Sequence, residues 1–576
     1  MPHEISLSFP PSSEAPPLDD EALLKRRAAR KLKVDPESLA TVRALRISFD
    51  ARRRERVWRV QVRAFEKGEE IPPPAVATPP TYSTPAKDAR RVAIIGSGPA
   101  GLFCALDLLA LGLHVTVFER GRDVQARRRS LRTLHRGGPA DPDSNYCFGE
   151  GGAGTYSDGK LYTRSGNKRA IRGVLETLVA HGAPPDILVS WRPHVGSNRL
   201  PDVVKAMRDT ITRSGGRVRF GQRVEEIVTQ RSGDSCRVRG VRSRNLESNE
   251  ESLHEADAVV LATGHSAFDA LWMARRAGAE LAPKGFSMGV RIEHNQSWVD
   301  DRQYGGLRGT HELPAAFYEL ASEEEGRGVY SFCMCPGGFI VPATTDPAGV
   351  VVNGMSLSRR DSPFANAGIV TSIEPEDWCG KEGERYGWNT LLAKASALGL
   401  PHDFPRQCPE TPGDDPLFGA RIQLALECVA AQAGGGANRA PVQRADIVAS
   451  GRAPRSKGPG EALETSYRPG VTPTNLAQLL PPGMFERIQR SLDTFDRRMP
   501  GFASEHGQLL GVESRTSSPV RVVRDPETLA SPTVAGLYPA GEGAGYAGGI
   551  ISAALDGQRI AAALAQTAEL GTRVPR

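Results

Sequence analysis

The sequence of 576 residues lacks the signatures of several protein classes. Its eight cysteines contain no C-x-x-C pair and no regular spacing, which argues against a disulfide framework and against iron–sulfur or structural zinc sites. The sequence has no H-E-x-x-H or EF-hand spacing, so no metal is expected. It has neither a run approaching 18 apolar residues nor a basic segment followed by an apolar one at its start. We therefore expect a cytoplasmic protein without a membrane span or a secretory signal.

The composition is that of a folded globular protein, and its charge is unevenly distributed. Apolar residues make up 39% and charged residues 24% of the chain, which excludes disorder and fibrous structure. The net charge is +6, of which +5 lies in residues 1–91, so the rest of the chain is nearly neutral. This distribution argues against an enzyme coated with positive charge for nucleic acid and indicates a small basic appendage.

Residues 1–70 predict a small basic module with the element order β-α-β-β. Residues 4–9 alternate weakly, EALLKRRAARKLKV has apolar residues at helical spacing, and VRALRISFDA and RVWRVQVRAF alternate with period two like a hairpin. Its arginines lie largely on the polar positions of the strands. They form either a solvated sheet face or a docking surface for an anionic partner such as nucleic acid. The proline-rich residues 71–89 predict a linker.

A dinucleotide-binding pattern begins directly after the linker. A short apolar strand is followed by Gly96, Gly98 and Gly101, by a helix over 102–111, and by a second strand that ends at Glu119. In this G-x-G-x-x-G arrangement the first glycine makes a tight turn, the second lets the backbone approach a pyrophosphate, and the third lets the helix pack on the strand. Amides at the helix start face the phosphates, and Glu119 accepts from ribose hydroxyls. We predict a Rossmann-like α/β domain and, from the acid, an unphosphorylated adenosine ribose.

Two further glycine motifs favour FAD over NAD as the bound cofactor. One strand ends at Ala262-Thr263-Gly264, and Gly541-Glu542-Gly543 precedes the last helix. This order of motifs resembles flavoproteins of the glutathione-reductase fold. The resemblance implies that Glu542, where an Asp is usual, contacts the ribityl chain and that the backbone of Val224 contacts adenine. The predicted cofactor-binding residues are Gly96, Gly98, Pro99, Ala100, Gly101, Glu119, Arg120, Gly152, Gly154, Val224, Ala262, Thr263, Gly264, Gly541, Glu542, Gly543, Gly549 and Ile550.

Longer motifs extend the resemblance over the whole chain. They are GEGGAGTYSDGKL at 149–161, ATGHSAFD at 262–269, GVRIEHNQSWVDDRQYG at 289–305, YSFCMCPGG at 330–338, VVNGMSLSRRD at 351–361, GVESRTSSPVR at 511–521 and YPAGEGAGYAGGI at 538–550. The chain resembles the largely uncharacterised FAD-dependent dehydrogenases, a cytosolic family of oxidoreductases with a short N-terminal domain. Phe268 departs from the family, which commonly has Arg there. The resemblance implies no substrate, since members are named for the cofactor.

The loop at 149–160 is the first candidate for chemistry. Its glycines allow close backbone approach, and by resemblance the loop lies along the pyrophosphate and the flavin ring, where Ser157, Asp158 and Lys160 reach the cofactor. A cationic Lys160 near the flavin would stabilise the anionic reduced form. The alternative is a purely structural glycine loop.

Cys333 and Cys335 are the second candidate. Read as a regular strand, SFCMC projects both thiols from one face, with their Cα atoms about 6.5–7 Å apart, at or beyond the limit for a disulfide. The disulfide oxidoreductases place a C-x-4-C pair in the first FAD helix, where this chain has only Cys104. A structural thiol, or a single reactive thiol facing the ligand, is favoured over a catalytic dithiol.

Arginine and histidine side chains are the third group of candidates. Arg291, His294, Arg515 and Arg521 lie on segments that resemble strands beside a flavin pocket, where an arginine can clamp a carboxylate or phosphate. The alternative for each is a structural or surface ion pair. His265 directly follows the A-T-G motif and is either a proton donor or a helix cap.

Residues 286–505 predict an inserted α+β substrate domain, because they lack the second G-x-G-x-x-G expected in a pyridine-nucleotide domain. The predicted FAD-binding domain is split into residues 90–285 and 506–576. We predict an FAD-dependent dehydrogenase that transfers a hydride between flavin and a small organic substrate, with Lys160, His265, Arg291, Cys333 and Cys335 as catalytic candidates and NAD(P)H as a possible electron donor. The alternatives are a flavoprotein that acts on RNA through the basic module and an FAD-binding electron-transfer or scaffold protein. The oligomeric state is left open.

Overall fold

The N-terminal residues form a small antiparallel sheet with one helix. The structure, a computed structural model, describes residues 2–12, 15–18, 20–51, 56–72, 79–163, 166–233, 235–305, 313–399, 407–450 and 461–571; residues 73–78 of the predicted linker lie outside them. Strands β1 (His3–Phe9), β2 (Leu39–Asp50) and β3 (Val57–Glu66) pair in the order β1-β3-β2, and helix α1 (Glu21–Leu32) follows β1 in sequence. The helix begins at the Asp20 cap, which accepts from the Leu23 amide, and buries Leu24 and Ala28 against the sheet.

The next segment, up to residue 276, alternates strands and helices. It contains β4 (Arg91–Ile95), α2 (Pro99–Ala110), β5 (His114–Phe118), α3 (Val124–His135), α4 (Lys168–Ala180), α5 (Leu200–Arg213), β6 (Arg217–Arg219), β7 (Gln222–Ser232), β8 (Ser235–Asn245), β9 (Glu251–Glu255), β10 (Ala258–Leu261) and α6 (Phe268–Arg276). Strands β10, β4, β5 and β6 lie side by side in that order and are parallel. Strands β7, β8 and β9 form a separate antiparallel sheet. Strands β4 and β10 at the centre of the parallel sheet are apolar and almost wholly buried, as their composition predicts.

The segment that follows builds a second, mixed layer of sheet and helices. It contains β11 (Leu281–Pro283), β12 (Phe286–Asn295), α7 (Gln296–Tyr304), β13 (Ala321–Glu324), β14 (Arg327–Cys335), β15 (Gly338–Pro342), β16 (Val352–Ser356), β17 (Phe364–Ile373), α8 (Gly380–Tyr386), α9 (Trp388–Ala397), α10 (Phe418–Gly434), β18 (Ala440–Arg444), α11 (Ala445–Ala449), β19 (Val471–Pro473), α12 (Leu476–Leu479), α13 (Pro482–Arg498), β20 (Gly507–Glu513) and β21 (Val520–Val522). Its main sheet has the order β13-β14-β17-β12-β20-β18-β19.

The boundaries of this inserted layer differ slightly from the predicted residues 286–505. Strand β20 follows residue 505, yet it pairs with β12 and β18 in the middle of the seven-stranded sheet. Leu281–Pro283 pairs antiparallel with Val520–Val522, so the chain enters and leaves the inserted layer through two adjacent strands. The sequence pattern placed the end of the insertion too early because β20 lies far along the chain from β12.

The C-terminal residues return to the parallel sheet. Strand β22 (Leu537–Pro539) pairs parallel with β10 and completes the five-stranded order β22-β10-β4-β5-β6, and helix α14 (Ile550–Gly571) packs against α2. The parallel sheet is thus assembled from two segments, residues 91–261 and 537–539, which precede and follow the insertion in sequence. Within the described ranges, no helix combines the length and the apolar character that a membrane crossing requires.

His294, one of the candidate side chains, is enclosed in the core of the inserted layer. Its ring stacks on Trp298 at a centroid distance of 4.5 Å, and its Nε2–H donates to the Phe502 carbonyl at 2.9 Å. Nδ1 has no hydrogen-bond partner among the described residues. Burial lowers the pKa of His294 to about 4, because protonation would place an unpaired charge in the core. His294 is therefore a neutral core residue in this fold.

The free energy of unfolding should fall by about 2 kcal/mol between pH 7 and pH 5 on account of His294 alone. Below the ordinary pKa of about 6.5 the unfolded chain binds a proton at this ring. The folded chain binds it only near pH 4, so stability decreases as the pH falls through this window. Urea unfolding at the two pH values checks the effect. His294→Gln should lose this part of the pH dependence, whereas the exposed His506→Gln, which removes only a minor charge effect on this pKa, should keep most of it; equal pH dependence in all three proteins would contradict the assignment.

Candidate functional site

The carboxyl ends of β4, β10 and β22 meet at one edge of the parallel sheet, which we call the glycine edge. A Cβ atom built on Gly96 would lie 2.4 Å from the Ala262 carbonyl oxygen, and one on Gly101 would lie 2.1 Å from the Gly96 carbonyl oxygen. Gly96 also has φ +105°, a left-handed conformation that favours glycine. These two glycines are therefore required for the turn itself to close against its neighbours.

Gly98 differs from its two neighbours because nothing fills the space in front of it. A Cβ on Gly98 would meet no atom within 4 Å. The helical turn Gly152–Gly154 lies opposite, since a Cβ on Gly152 would be 3.2 Å from the Gly98 Cα atom. Gly154 in turn faces the side chains of Ile550 and Pro99, at 3.3 and 3.6 Å from a built Cβ. Three segments that are far apart in sequence thus meet beside the open face of Gly98.

The turn between β22 and α14 completes this edge. A Cβ on Gly541 would lie 2.9 Å from the Ala100 Cβ, and one on Gly543 would lie 2.5 Å from the Gly264 carbonyl oxygen. Gly264 and Gly549 have no atom within 4 Å of a built Cβ, so both border open space. The structure therefore brings together the three glycine motifs and the 149–154 loop that the sequence predicted to meet.

Two helices begin at the glycine edge. Helix α2 begins at Pro99, directly after Gly98, which has no side chain to cap the helix. Helix α14 begins at Ile550. The first backbone amides of a helix lack partners within the helix, and the helix dipole places partial positive charge there. Amides beside an open space lined by glycine suit an anionic group such as a pyrophosphate. The residues at this edge fit a dinucleotide cofactor.

Glu119 lies at the end of β5, buried, with its carboxylate fully engaged by the protein. It accepts hydrogen bonds from the Ser97 amide and hydroxyl at 3.0 and 2.6 Å, and from the amides of Gly121 and Gly149 at 2.9 and 3.0 Å. A carboxylate offers about four acceptor positions. A ribose hydroxyl would therefore have to replace one of these donors, and in this structure Glu119 ties the first turn to the 149–154 loop.

Two other predicted cofactor residues near Glu119 also have protein partners. Arg120 forms ion pairs with Asp143 at 2.8 Å and Asp269 at 2.9 Å, which raise its pKa against the opposing effect of burial. Val224 lies on β7 and pairs with Ser243 of β8. Arg120 thus joins β5 to α6, and the adenine contact of Val224 stays a prediction.

His265 and Glu542 form a pair where two turns of the glycine edge touch. The His265 Nδ1 lies 3.2 Å from a Glu542 carboxylate oxygen, and both side chains are mostly buried. The sequence placed each residue near the cofactor independently but did not predict their contact. Glu542 therefore has a protein partner as well as the ribityl role that the resemblance implies.

Lys160 connects the glycine loop to β14 of the inserted layer. Its Nζ lies 3.5 Å from Cys333 Sγ, 3.6 Å from Cys335 Sγ and 3.4 Å from an Asp158 carboxylate oxygen. Burial alone would lower the pKa of Lys160, but the two sulfurs and the carboxylate raise it, so the ammonium remains charged. The catalytic candidates Lys160, Cys333 and Cys335 are thus in one cluster.

Asp158 anchors this cluster from below. Its carboxylate accepts from Arg360 at 2.8 Å and from the Ser356 hydroxyl, and it is almost completely buried. Burial would raise the pKa of Asp158, but Lys160 and Arg360 lower it. Neither Ser356 nor Arg360 was singled out in the sequence, because only the folded chain brings β16 and the following turn to the 149–160 loop.

Arg291 is fully buried in an ion pair rather than open to a ligand. Its guanidinium donates to the Glu513 carboxylate at 2.5 and 2.9 Å and to Asn366 Oδ1 at 2.7 Å. It also approaches the Cys333 carbonyl at 3.5 Å. Arg291 therefore contacts the backbone of β14 and forms a structural ion pair, the second of the two roles that the sequence allowed for it. Glu513, its partner from β20, lies within the motif at 511–521, but that motif indicated no role of its own for this residue.

The other two candidate arginines lie away from the Lys160 cluster. Arg515 pairs with Glu427 at 2.6 Å, both buried, and Arg521 lies over the Tyr546 ring at 5.4 Å from its centroid. The pairing of Arg515 accounts for its guanidinium without a bound anion. Neither side chain is brought to Lys160 or to Cys333 by a contact in this structure.

Comparisons with known proteins match nearly every part of the chain. Family models described as FAD dependent oxidoreductase and flavin containing amine oxidoreductase match residues 91–184 and 177–283. The model of a C-terminal domain of FAD-dependent proteins matches 285–390 and 405–516, and a domain of unknown function matches 1–65. An uncharacterized protein of Clostridium beijerinckii is 36% identical over 559 residues, which cover 94% of this chain and 96% of that protein.

The chain belongs to the FAD-dependent oxidoreductases. FAD is the cofactor of this flavoprotein, in agreement with the sequence prediction. The match at 285–516 also agrees with a layer that extends through β20.

Solved structures of other flavoproteins resemble this FAD-dependent oxidoreductase only weakly. A geranylgeranyl bacteriochlorophyll reductase-like protein from Thermoplasma acidophilum is 12% identical, with a TM-score of 0.33, over 84% of this chain and 80% of that one. CtdE in complex with FAD is also 12% identical, with a TM-score of 0.29, over 84% and 85% of the two chains. The assignment to the family does not depend on them.

Proposed function

We propose that this FAD-dependent oxidoreductase holds its flavin at the glycine edge and transfers a hydride between it and a small organic substrate beside Lys160. The observation that carries the proposal is the contact between the 149–160 loop and both domains. One end of this loop faces Gly98, and its other end places Lys160 against β14 of the inserted layer. A substrate at that junction would be enclosed between two domains, a common position for ligand pockets.

The pyrophosphate of FAD would lie against the open face of Gly98, where a built Cβ meets no protein atom within 4 Å. The unpartnered amides at the start of α2 would donate to its oxygens, and Ile550 at the start of α14 would face the flavin end. The arrangement supports a subtype related to glutathione reductase, in which the first and last glycine motifs hold one cofactor. Bound FAD supplies a two-electron acceptor and donor for the substrate.

Lys160 would act through its fixed positive charge. The charge is enclosed by protein, where electrostatic interactions are stronger than in water, and it needs no rearrangement to act. The N–H groups of Lys160 already face Asp158, Cys333 and Cys335, so the lysine would act on negative charge that develops beside it through its electrostatic field. Arg291 would hold the strand that carries Cys333, as a positioning residue for the same site.

The purified protein should show visible flavin absorbance, and anaerobic mixing with the right reductant should bleach it. NADH, NADPH and a panel of small alcohols, amines and hydroxy acids are mixed with the protein in a stopped-flow instrument. Lys160→Met should retain FAD but reduce the bleaching rate by about 100-fold, because one preorganised charge is removed from the reacting centre.

Lys168→Met is the matched control for this experiment. It removes the same charge from the exposed first turn of α4 and should bleach like the parent protein. A protein that neither contains nor takes up FAD would overturn the proposal. Equal bleaching rates in Lys160→Met and Lys168→Met would overturn the role of Lys160.

A further inference from the structure

The sulfurs of Cys333 and Cys335 share one cationic partner inside the protein. Both lie within 3.6 Å of the Lys160 ammonium, which is largely buried, and Cys335 is itself fully buried. The Cys335 thiol also donates to the Cys333 carbonyl oxygen at 3.2 Å. The two thiols therefore share one electrostatic environment, although a regular strand would keep them apart.

The backbone conformation at Cys333 explains why both thiols face Lys160. The pairing of β14 with β17 shifts register between Phe332 and Cys335, which marks a β-bulge. Cys333 has φ +45°, in the left-handed region that residues with a Cβ rarely adopt. The Cα separation of about 6.5–7 Å holds only for a regular extended strand. The left-handed residue at Cys333 breaks that regularity, so this separation does not apply here. Strained backbone of this kind persists where the surrounding structure enforces it, often at functional sites.

The charges around the pair favour one thiolate and one thiol. The neighbouring Cys335 side chain lowers the pKa of the Cys333 thiol well below its ordinary value, and Lys160 and Arg291 add to this effect against the opposing effect of burial. The interaction with Cys333, together with burial, raises the pKa of Cys335. Thiol–disulfide chemistry proceeds through a thiolate, so this pair is ready to react.

Other cysteines of the chain lie in a different electrostatic environment. Burial raises the pKa of Cys104 and Cys379, and it raises the pKa of Cys428 to about 12. These thiols are therefore protonated and inert near neutral pH. Cys333 is the cysteine whose surroundings combine a lysine, an arginine and a neighbouring thiol.

We propose that Cys333 and Cys335 form a reversible disulfide that exchanges an electron pair with the flavin, an inference that rests on the proposed FAD site. In the oxidising direction a bond forms between the two sulfurs, and the S–H bond of Cys335 breaks. The electron pair and the Cys335 proton pass to the oxidised flavin. The reverse step takes an electron pair and a proton from reduced flavin and restores the thiolate and the thiol. Lys160 stabilises the Cys333 thiolate of the reduced state.

The disulfide is tested first without any flavin chemistry. The full-length apoprotein and the holoprotein are equilibrated in mixtures of reduced and oxidised glutathione, quenched in acid, and digested for mass spectrometry. The peptide that contains both cysteines should lose the mass of two hydrogens in oxidising buffer and regain it in dithiothreitol. In Lys160→Met the half-oxidised point should move by about tenfold toward a lower ratio of oxidised to reduced glutathione. The reduced form is less stable there, because its thiolate has lost its cation. Free thiols or a glutathione adduct alone in oxidising buffer would overturn the proposal.

Electron exchange with the flavin is tested in a second arm. Each protein, anaerobic, oxidised and loaded with FAD, is treated with dithiothreitol in slight excess over two equivalents, one for the disulfide and one for the flavin. The flavin should bleach in the parent protein and in Cys428→Ser, but at least about tenfold more slowly in Cys333→Ser and Cys335→Ser. Equal bleaching in all four proteins would overturn the exchange while leaving the flavin site intact. Absence of bound FAD would instead contradict the proposed function, and the apoprotein arm would still decide whether the disulfide forms.

Discussion

Alanine at position 98 is expected to leave the apoprotein folded and to weaken FAD binding by about 10- to 100-fold. A Cβ there meets no protein atom within 4 Å, so the fold has room for it. That room is the open face of Gly98 against which the pyrophosphate would lie. Displacing a phosphate group from backbone donors costs about as much as one hydrogen bond to a charged group, 1.5–3 kcal/mol. Titration of the apoprotein with FAD, followed by flavin fluorescence, measures the change.

Gly101→Ala provides the contrast that makes this result specific. Its Cβ would lie 2.1 Å from the Gly96 carbonyl oxygen, so the turn itself must open. This variant should lose both thermal stability and FAD binding, whereas Gly98→Ala should lose FAD binding alone. Wild-type FAD affinity in Gly98→Ala would show that the cofactor does not pass in front of Gly98.

Arg291→Met should lower the free energy of unfolding by about 3–5 kcal/mol, the cost of leaving a buried charge without its partner. Arg291 and Glu513 are both almost inaccessible to solvent and are joined by two hydrogen bonds. The methionine fills similar volume but strands the Glu513 carboxylate in the core. Urea unfolding, monitored by circular dichroism, measures the loss.

Two further variants separate this ion pair from a general effect of arginine removal. Arg291→Met combined with Glu513→Leu should recover much of the lost stability, since no charge is then left unpaired. Arg385→Met, which removes an exposed arginine 3.9 Å from Glu382, should cost less than about 1 kcal/mol. A small loss in Arg291→Met, comparable to that in Arg385→Met, would contradict the buried pairing.

The glycine edge could be predicted from the sequence because each of its parts is local. Gly96, Gly98 and Gly101 are close together in sequence, and their spacing alone implies a tight turn before a helix. The meeting of this turn with Gly264 and Gly543 followed from the known order of the motifs. The contacts among them in the structure agree with that order.

The electrostatic partners in the site could not be predicted in the same way. Arg291 and Glu513 are 222 residues apart, and a lone glutamate on an apolar strand has no pattern that identifies its partner. The convergence of Cys333 and Cys335 on Lys160 depends on a register shift and on one left-handed residue, neither of which leaves a mark in the periodicity of SFCMC. The sequence identified Lys160, Arg291 and the two cysteines as candidates, but only the folded chain shows which side chains they contact.

The two short strands β11 and β21 also bear on how such a protein is assembled in evolution. They pair side by side, so the two ends of the inserted layer are separated by about one strand spacing, 4.7–4.9 Å. A segment whose ends are adjacent can be exchanged between genes without disturbing the domain that receives it. For the substrate site proposed beside the insertion, this connection would let substrate choice change in the insertion while the cofactor-binding half is retained.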